Sequence, residues 1–81
     1  MNREQEIRTR MHAKQAAQYD VSIGREGSKE RATWWVGYLS SHLGIVDAHG
    51  VIDVGGEIAR AFTSQYRRVY KNTPRGIGEG A

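Results

Sequence analysis

The sequence is poor in residues that could hold a small protein together through covalent bonds or metal ions. It contains no cysteine, which excludes disulfide bonds and thiolate metal ligands. No apolar run approaches the about 20 residues that a membrane-spanning helix needs. The first residues, MNREQEIRTRMHAKQAAQ, are too polar for the apolar region of a secretion signal. We therefore expect a cytoplasmic protein that has no contact with membranes.

Sequence motifs for catalysis and for metal or cofactor binding are also missing. There is no Ser-His-acid arrangement with a recognisable nucleophile turn, and no glycine loop of the kind that holds phosphates. The histidines, His12, His42 and His49, show no metal-ligand spacing, and DAHGVID places His49 where a calcium loop needs an oxygen ligand. We expect a protein that is not an enzyme and that binds no metal or cofactor.

Positive charge is concentrated in one part of the chain. The formal net charge is +3, yet residues 1–59 contain eight acidic and seven basic side chains. Residues 60–75 contain five basic side chains and no acidic one. A local excess of positive charge favours anionic partners, whereas scattered charge mainly keeps a protein soluble.

The apolar pattern predicts a mainly α fold. With 81 residues the chain forms one small domain, 1–81, for which we expect two to three helices. Residues 1–18 have helix-forming composition without a continuous apolar stripe, which predicts a polar, loosely packed helix. The alternation of Tyr19, Val21 and Ile23 predicts a short strand. The glycine-rich segment 75–81 is expected to be a flexible tail.

A second helix is predicted over residues 29–43, followed by a hairpin-like turn at about 44–53. Ser28 and Gly44 suit the two ends of this helix. The aromatic and β-branched content of the segment leaves a strand as the alternative. The turn is indicated by DAHG, in which Gly50 takes positive φ. The helix is favoured because its apolar residues recur at helical spacing: Ala32, Trp35, Val36, Leu39 and Leu43.

A third helix is predicted over residues 54–71, with Asp53 as its N-cap. Within it, EIARAF and YRRVYK resemble the two helices of a helix-turn-helix DNA-binding motif. The turn position, however, holds Thr63 instead of glycine, and Ser64 follows where an apolar residue is usual. The apolar face runs without a phase change through Ile58, Phe62 and Val69, with Val54 and Tyr66 at its margins. One continuous amphipathic helix is therefore predicted.

Two groups of residues are predicted to contact a partner. Arg60, Arg67 and Lys71 share the side of the third helix opposite its apolar face, and Arg68 adds a fourth positive charge. Trp34 and Tyr38 follow at i and i+4 along the rim of the second helix, in line with His42. The alternative interpretations are that the cations form a solvated helix face and that the aromatic residues enlarge the core. Trp, Tyr and Arg are also the residues that dominate binding interfaces.

We expect a non-enzymatic protein-interaction module that binds an acidic surface of a larger protein or nucleoprotein complex. Small, basic, cysteine-free chains are common among phage-encoded inhibitors of host machinery, including anti-CRISPR proteins, and the composition resembles theirs. The alternative is a small DNA- or RNA-binding regulator that uses the basic helix. Homo-oligomerisation is compatible with both.

Overall fold

The computed structural model of the protein describes residues 1–27 and 29–74. The predicted cap at Ser28 and the predicted tail at 75–81 lie outside the described residues. Within them the chain forms the helices α1 (Arg3–Ile23), α2 (Lys29–Tyr38), α3 (Ser40–Leu43) and α4 (Glu57–Asn72). The prediction of a mainly α fold is confirmed. No helix in the described part of the chain is long and apolar enough to cross a membrane.

Helix α1 begins at a reciprocal cap and extends further than predicted. The Asn2 side chain accepts a hydrogen bond from the Gln5 N–H, and the Gln5 side chain accepts one from the Asn2 N–H. The helix ends at Gly24, whose φ is +72°. The strand predicted at 19–23 is therefore wrong. Helical geometry brings Asp20 to the buried side of α1, and this burial outweighs a three-residue alternation.

The packing of α1 is closer than the expected loose contact. This helix packs mainly against α4. Alanine dominates its contact side, and alanine gives a weak hydropathy signal although its small side chain lets two helix backbones approach closely. The contact side consists of residues that are at most 3% exposed: Thr9, Ala13, Ala16, Ala17 and Asp20.

The helix predicted over 29–43 is present but interrupted at Leu39, which separates α2 from α3. Ala32, Val36 and Leu43 are buried, and Trp35 and Leu39 pack against the core as half-buried side chains. The prediction of the inward-facing positions is thus confirmed.

The hairpin-like turn after α3 has the predicted form. Val46 and Ile52 form an isolated antiparallel bridge. The Asp47 N–H donates to the Val51 carbonyl over 2.9 Å, and Gly50 has a φ of +76°. Hydrogen bonds within the turn therefore set its shape.

Helix α4 starts later than predicted. Gly56 occupies the N-cap position, so the expected capping by Asp53 is wrong, and Val54 lies exposed before the helix. From Glu57 the helix runs unbroken to Asn72, as the apolar spacing predicted. Tyr66, predicted at the margin of the apolar face, is fully buried, and together with Phe62 it provides the largest side chains of the core.

Candidate functional site

The predicted basic residues line one groove between α2 and α4. The groove has a volume of about 550 Å³ and is called the basic groove below. Its lining combines positively charged, hydroxyl and small apolar side chains: Lys29, Thr33, Val54, Ala59, Arg60, Thr63, Ser64, Arg67, Arg68 and Lys71.

All the charged residues that line the groove are positive. Five of its lining residues are cations, each on an exposed residue, and no lining residue among those described is an acid. The ion pairs seen in the described part of the chain join other groups: Met1 with Glu57, Arg10 with Glu6, and Arg31 with Asp20. No ion pair among the described residues therefore joins a cation of the groove to a carboxylate.

Packing of the start of α2 beside the end of α4 brings the cations together. The Tyr70 hydroxyl near the end of α4 lies 3.5 Å from the carbonyl of Gly27, which precedes α2. The start of α2 therefore lies beside the end of α4, and Lys29 joins the cluster of α4 cations. Lys29 was missed in the sequence because its position depends on how two helices pack. The signal available was its i, i+4 spacing from Thr33 on the flank of α2.

The hydroxyl groups on the groove wall are partly committed to the helices. The Thr33 hydroxyl donates to the Lys29 carbonyl over 3.1 Å, and the Thr63 hydroxyl donates to the Ala59 carbonyl over 3.0 Å. Their oxygen lone pairs can accept but their protons are in use. The Arg and Lys side chains therefore supply the charge that attracts an anion to the groove.

Trp34 and Tyr38 lie outside the basic groove. Their rings stack at a centroid distance of 5.1 Å and an interplanar angle of 8°. They are 50% and 67% exposed, so the structure places them on the surface and not in an enlarged core. His42 does not continue their row, because the helix is interrupted at Leu39. Its ring instead lies 5.6 Å from that of His12.

A buried carboxylate holds the helices around this aromatic pair. Asp20 is fully buried, and its two oxygens accept hydrogen bonds from the Arg31 Nε and Nη2 over 3.0 and 2.9 Å. The Trp35 Nε1 donates over 2.8 Å and the Tyr66 hydroxyl over 2.6 Å. Asp20 thus connects α1, α2 and α4. It was missed in the sequence, although Ala13, Ala16, Ala17 and Asp20 share one helical face.

The protonation states of this cluster follow from its contacts. Burial acts to raise the pKa of Asp20, but hydrogen bonds from Arg31, Tyr66 and Trp35 favour the carboxylate and leave the pKa below its usual value. Burial and the hydrogen bond to Asp20 raise the pKa of Tyr66. The cluster is therefore ionic at neutral pH, with a carboxylate, a guanidinium and a neutral phenol.

Arg31 also connects Asp20 to the exposed rings. Its guanidinium carbon lies 4.4 Å from the centroid of the Trp34 ring, and Trp34 in turn stacks on Tyr38. Arg31, Trp34 and Tyr38 are called the aromatic column below. Trp35 meets both rings edge-on, with centroids 5.2 and 5.8 Å away. Asp20 therefore fixes one end of a column whose other end, Tyr38, faces outward.

The histidines form no cluster of metal ligands in the described part of the chain, where no group of three or more His, Cys, Asp or Glu residues could hold a metal ion. His12 and His42 instead pair α1 with α3. Burial, His42 and Arg8 lower the pKa of His12, so its neutral form is favoured in the folded protein.

Comparison of the chain with protein-family models, with characterised proteins and with solved structures finds no match. The groove and the aromatic column are therefore the features of the molecule that bear on its function.

Proposed function

We propose that the protein is a non-enzymatic binding module whose basic groove docks on an acidic surface of a larger protein or nucleoprotein complex. The observation that supports this most is the collection of five cations from two helices in one concave groove, with no acid among its described lining residues. Charges that served only solubility would not need to lie in a groove, because a convex surface would keep the protein equally soluble. A groove lets several cations approach the same anionic segment from two sides.

The groove differs from an ordinary solvated helix face. On such faces Glu or Asp one turn away usually neutralises Lys and Arg. Helix α4 has no acidic residue after Glu57. The like charges of Arg67, Arg68 and Lys71 repel one another in the free protein. An anionic partner would relieve this repulsion, so the same charges favour association.

Inhibition of a larger macromolecular assembly is the most specific form of this proposal. A small protein inhibits by covering a site that a larger assembly needs, and it requires no chemistry of its own. The compositional resemblance to phage-encoded inhibitors, including anti-CRISPR proteins, supports this form.

Direct binding of nucleic acid is the second candidate function. Arg60, Arg67 and Lys71 all line the groove, and they span about 16 Å along α4 at the rise of an α-helix. A row of cations of this length can follow a phosphate backbone. Binding of this kind would be independent of sequence and strongly weakened by salt.

Fluorescence anisotropy with two labelled anionic probes tests the proposal. One probe is a 20-residue polyglutamate peptide and the other a random 20-base-pair DNA duplex. The charge-reversal variant Arg67→Glu/Lys71→Glu should weaken binding about tenfold or more. The control Arg3→Glu/Lys14→Glu makes the same change in net charge on exposed α1 residues outside the groove. It should change affinity less than about twofold.

Each outcome of this experiment has a defined meaning. Equal losses in the two variants, or no binding of either probe, would contradict docking through the groove. Tighter binding of polyglutamate would favour an acidic protein surface, whereas tighter binding of the duplex would favour nucleic acid. Capture from a lysate with the same three baits then identifies the partner as a protein that the wild type and the control retain and the groove variant loses.

A further inference from the structure

The aromatic column presents a planar surface that is held by contacts within the protein. Two hydrogen bonds from Arg31 to buried Asp20 hold the guanidinium against Trp34. Trp34 and the edge of Trp35 then hold the Tyr38 ring. An aromatic ring that is already immobilised loses little conformational entropy on binding. Tyr38 nevertheless remains 67% exposed, which leaves its ring accessible to a ligand.

The column lies on the same helix as one wall of the basic groove. Thr33 lines the groove and is followed directly by Trp34, while Gly37 directly precedes Tyr38. On a helical projection Gly37 lies between the groove wall and Tyr38. No atom lies within 4 Å of the position that a Cβ on Gly37 would occupy. The surface of α2 around Gly37, between the basic groove and the Tyr38 ring, is therefore not covered.

The charges along this side of α2 favour a ligand path near Gly37. Glu30 lies on the same side of α2, but seven residues before Gly37, or about 10 Å along the helix axis. Thr33, one turn before Gly37, lines the groove together with Arg60. A ligand that leaves the groove past Thr33 in the direction of Gly37 therefore moves away from Glu30.

The chemistry of these surfaces selects one class of partner. The groove favours repeated negative charges, and the exposed Tyr38 ring favours a planar ring. A single-stranded nucleic acid supplies both, because its phosphates follow a basic groove and its unpaired bases stack on aromatic side chains. A duplex keeps its bases stacked inside, and an acidic peptide supplies a ring only where an aromatic residue lies among its carboxylates. We propose that the protein binds single-stranded nucleic acid, with the backbone in the basic groove and a base stacked on Tyr38. This proposal rests on the docking role of the groove.

Fluorescence anisotropy with two 12-nucleotide probes of equal charge separates the two contacts. One probe is oligothymidine and the other has the same backbone without bases. The wild type should bind oligothymidine about tenfold more tightly than the abasic strand. Tyr38→Leu should remove this preference and leave abasic binding unchanged, whereas Tyr38→Phe should retain it. Tyr19→Leu, the control, removes another exposed ring, 54% exposed, which contacts Trp35 at a centroid distance of 6.0 Å and is not part of the column; this variant should retain the preference.

The two probes also separate failure of this proposal from failure of the groove. Equal binding of both strands by the wild type, or an unchanged preference in Tyr38→Leu, overturns stacking on Tyr38. If Arg67→Glu still weakens abasic binding in that case, the docking role of the groove stands. If neither strand binds, the single-strand proposal is overturned, and the polyglutamate measurement alone decides whether the groove docks an anionic partner.

Discussion

The Tyr66 hydroxyl donates a 2.6 Å hydrogen bond to Asp20, a residue 46 positions earlier in the chain, and both side chains are fully buried. The bond joins the middle of α4 to the end of α1. With Arg31 and Trp35 on the same carboxylate, it also sets the position of α2. Because α2 and α4 form the walls of the basic groove, the shape of the groove depends on this buried polar cluster.

We predict that removing the Tyr66 hydroxyl destabilises the protein. A hydrogen bond to a charged group contributes about 1.5–3 kcal/mol to the free energy of unfolding, so Tyr66→Phe should lose about that amount. The matched control is Tyr70→Phe, whose hydroxyl makes an exposed contact at 3.5 Å and should contribute less than about 0.5 kcal/mol. Urea unfolding followed by tryptophan fluorescence measures both. Equal effects of the two substitutions would show that the buried hydrogen bond contributes no more to the free energy of unfolding than the exposed contact.

Removal of the carboxylate should cost more than removal of one donor. Asp20→Ala leaves the Arg31 guanidinium, the Trp35 N–H and the Tyr66 hydroxyl without their shared acceptor. Breaking a buried ion pair in this way costs about 3–5 kcal/mol. A domain of this size has a total stability of about 4–12 kcal/mol. Circular dichroism should therefore show a largely reduced melting temperature, and a variant as stable as the wild type would contradict the importance of the cluster.

Stability should fall in acid because of Asp20. Its pKa in the folded protein is lowered, so the folded state binds fewer protons than the unfolded state where the unfolded carboxyl titrates. The contribution is complete above the unfolded value of about 4 and is lost as the pH falls through the lowered folded pKa. Urea midpoints measured from pH 7 to pH 2 should decrease below about pH 4. Asp20→Asn should be less stable at pH 7 and should show a smaller decrease in acid.

Two glycines should respond oppositely to alanine. Gly24 ends α1 with a φ of +72°, where a Cβ is strained, so Gly24→Ala should destabilise the protein by about 1 kcal/mol. Gly37 lies inside α2 with open space around its missing Cβ. Gly37→Ala should therefore stabilise it by about 0.5–1 kcal/mol. Thermal unfolding of both variants measures the signs, and a stabilising Gly24→Ala would refute the left-handed helix end.

Helical spacing predicted the inward positions of α2 and the continuous course of α4, because burial of Val36 and Phe62 requires that spacing. It also placed Arg60, Arg67 and Lys71 on one side of α4. The length of α1 depended on partners that Asp20 finds on other helices. The basic groove itself could not be predicted, since Lys29 joins it through the packing of α2 against α4. The local sequence pattern therefore predicted which side of each helix is apolar or charged. Which helix sides pack together depends on tertiary contacts that the pattern does not contain.

Chemical-shift mapping tests most directly whether the groove binds anions. Inorganic tripolyphosphate is titrated into ¹⁵N-labelled protein at low ionic strength, and the amide and arginine side-chain signals are followed. We predict saturable shifts at Lys29, Ser64 and Arg67, with much smaller changes at Arg3 and Lys14, which lie on α1 away from the groove. Shifts of equal size at Arg3 and Lys14, or no saturation at any residue, would contradict the assignment of the groove as the docking site.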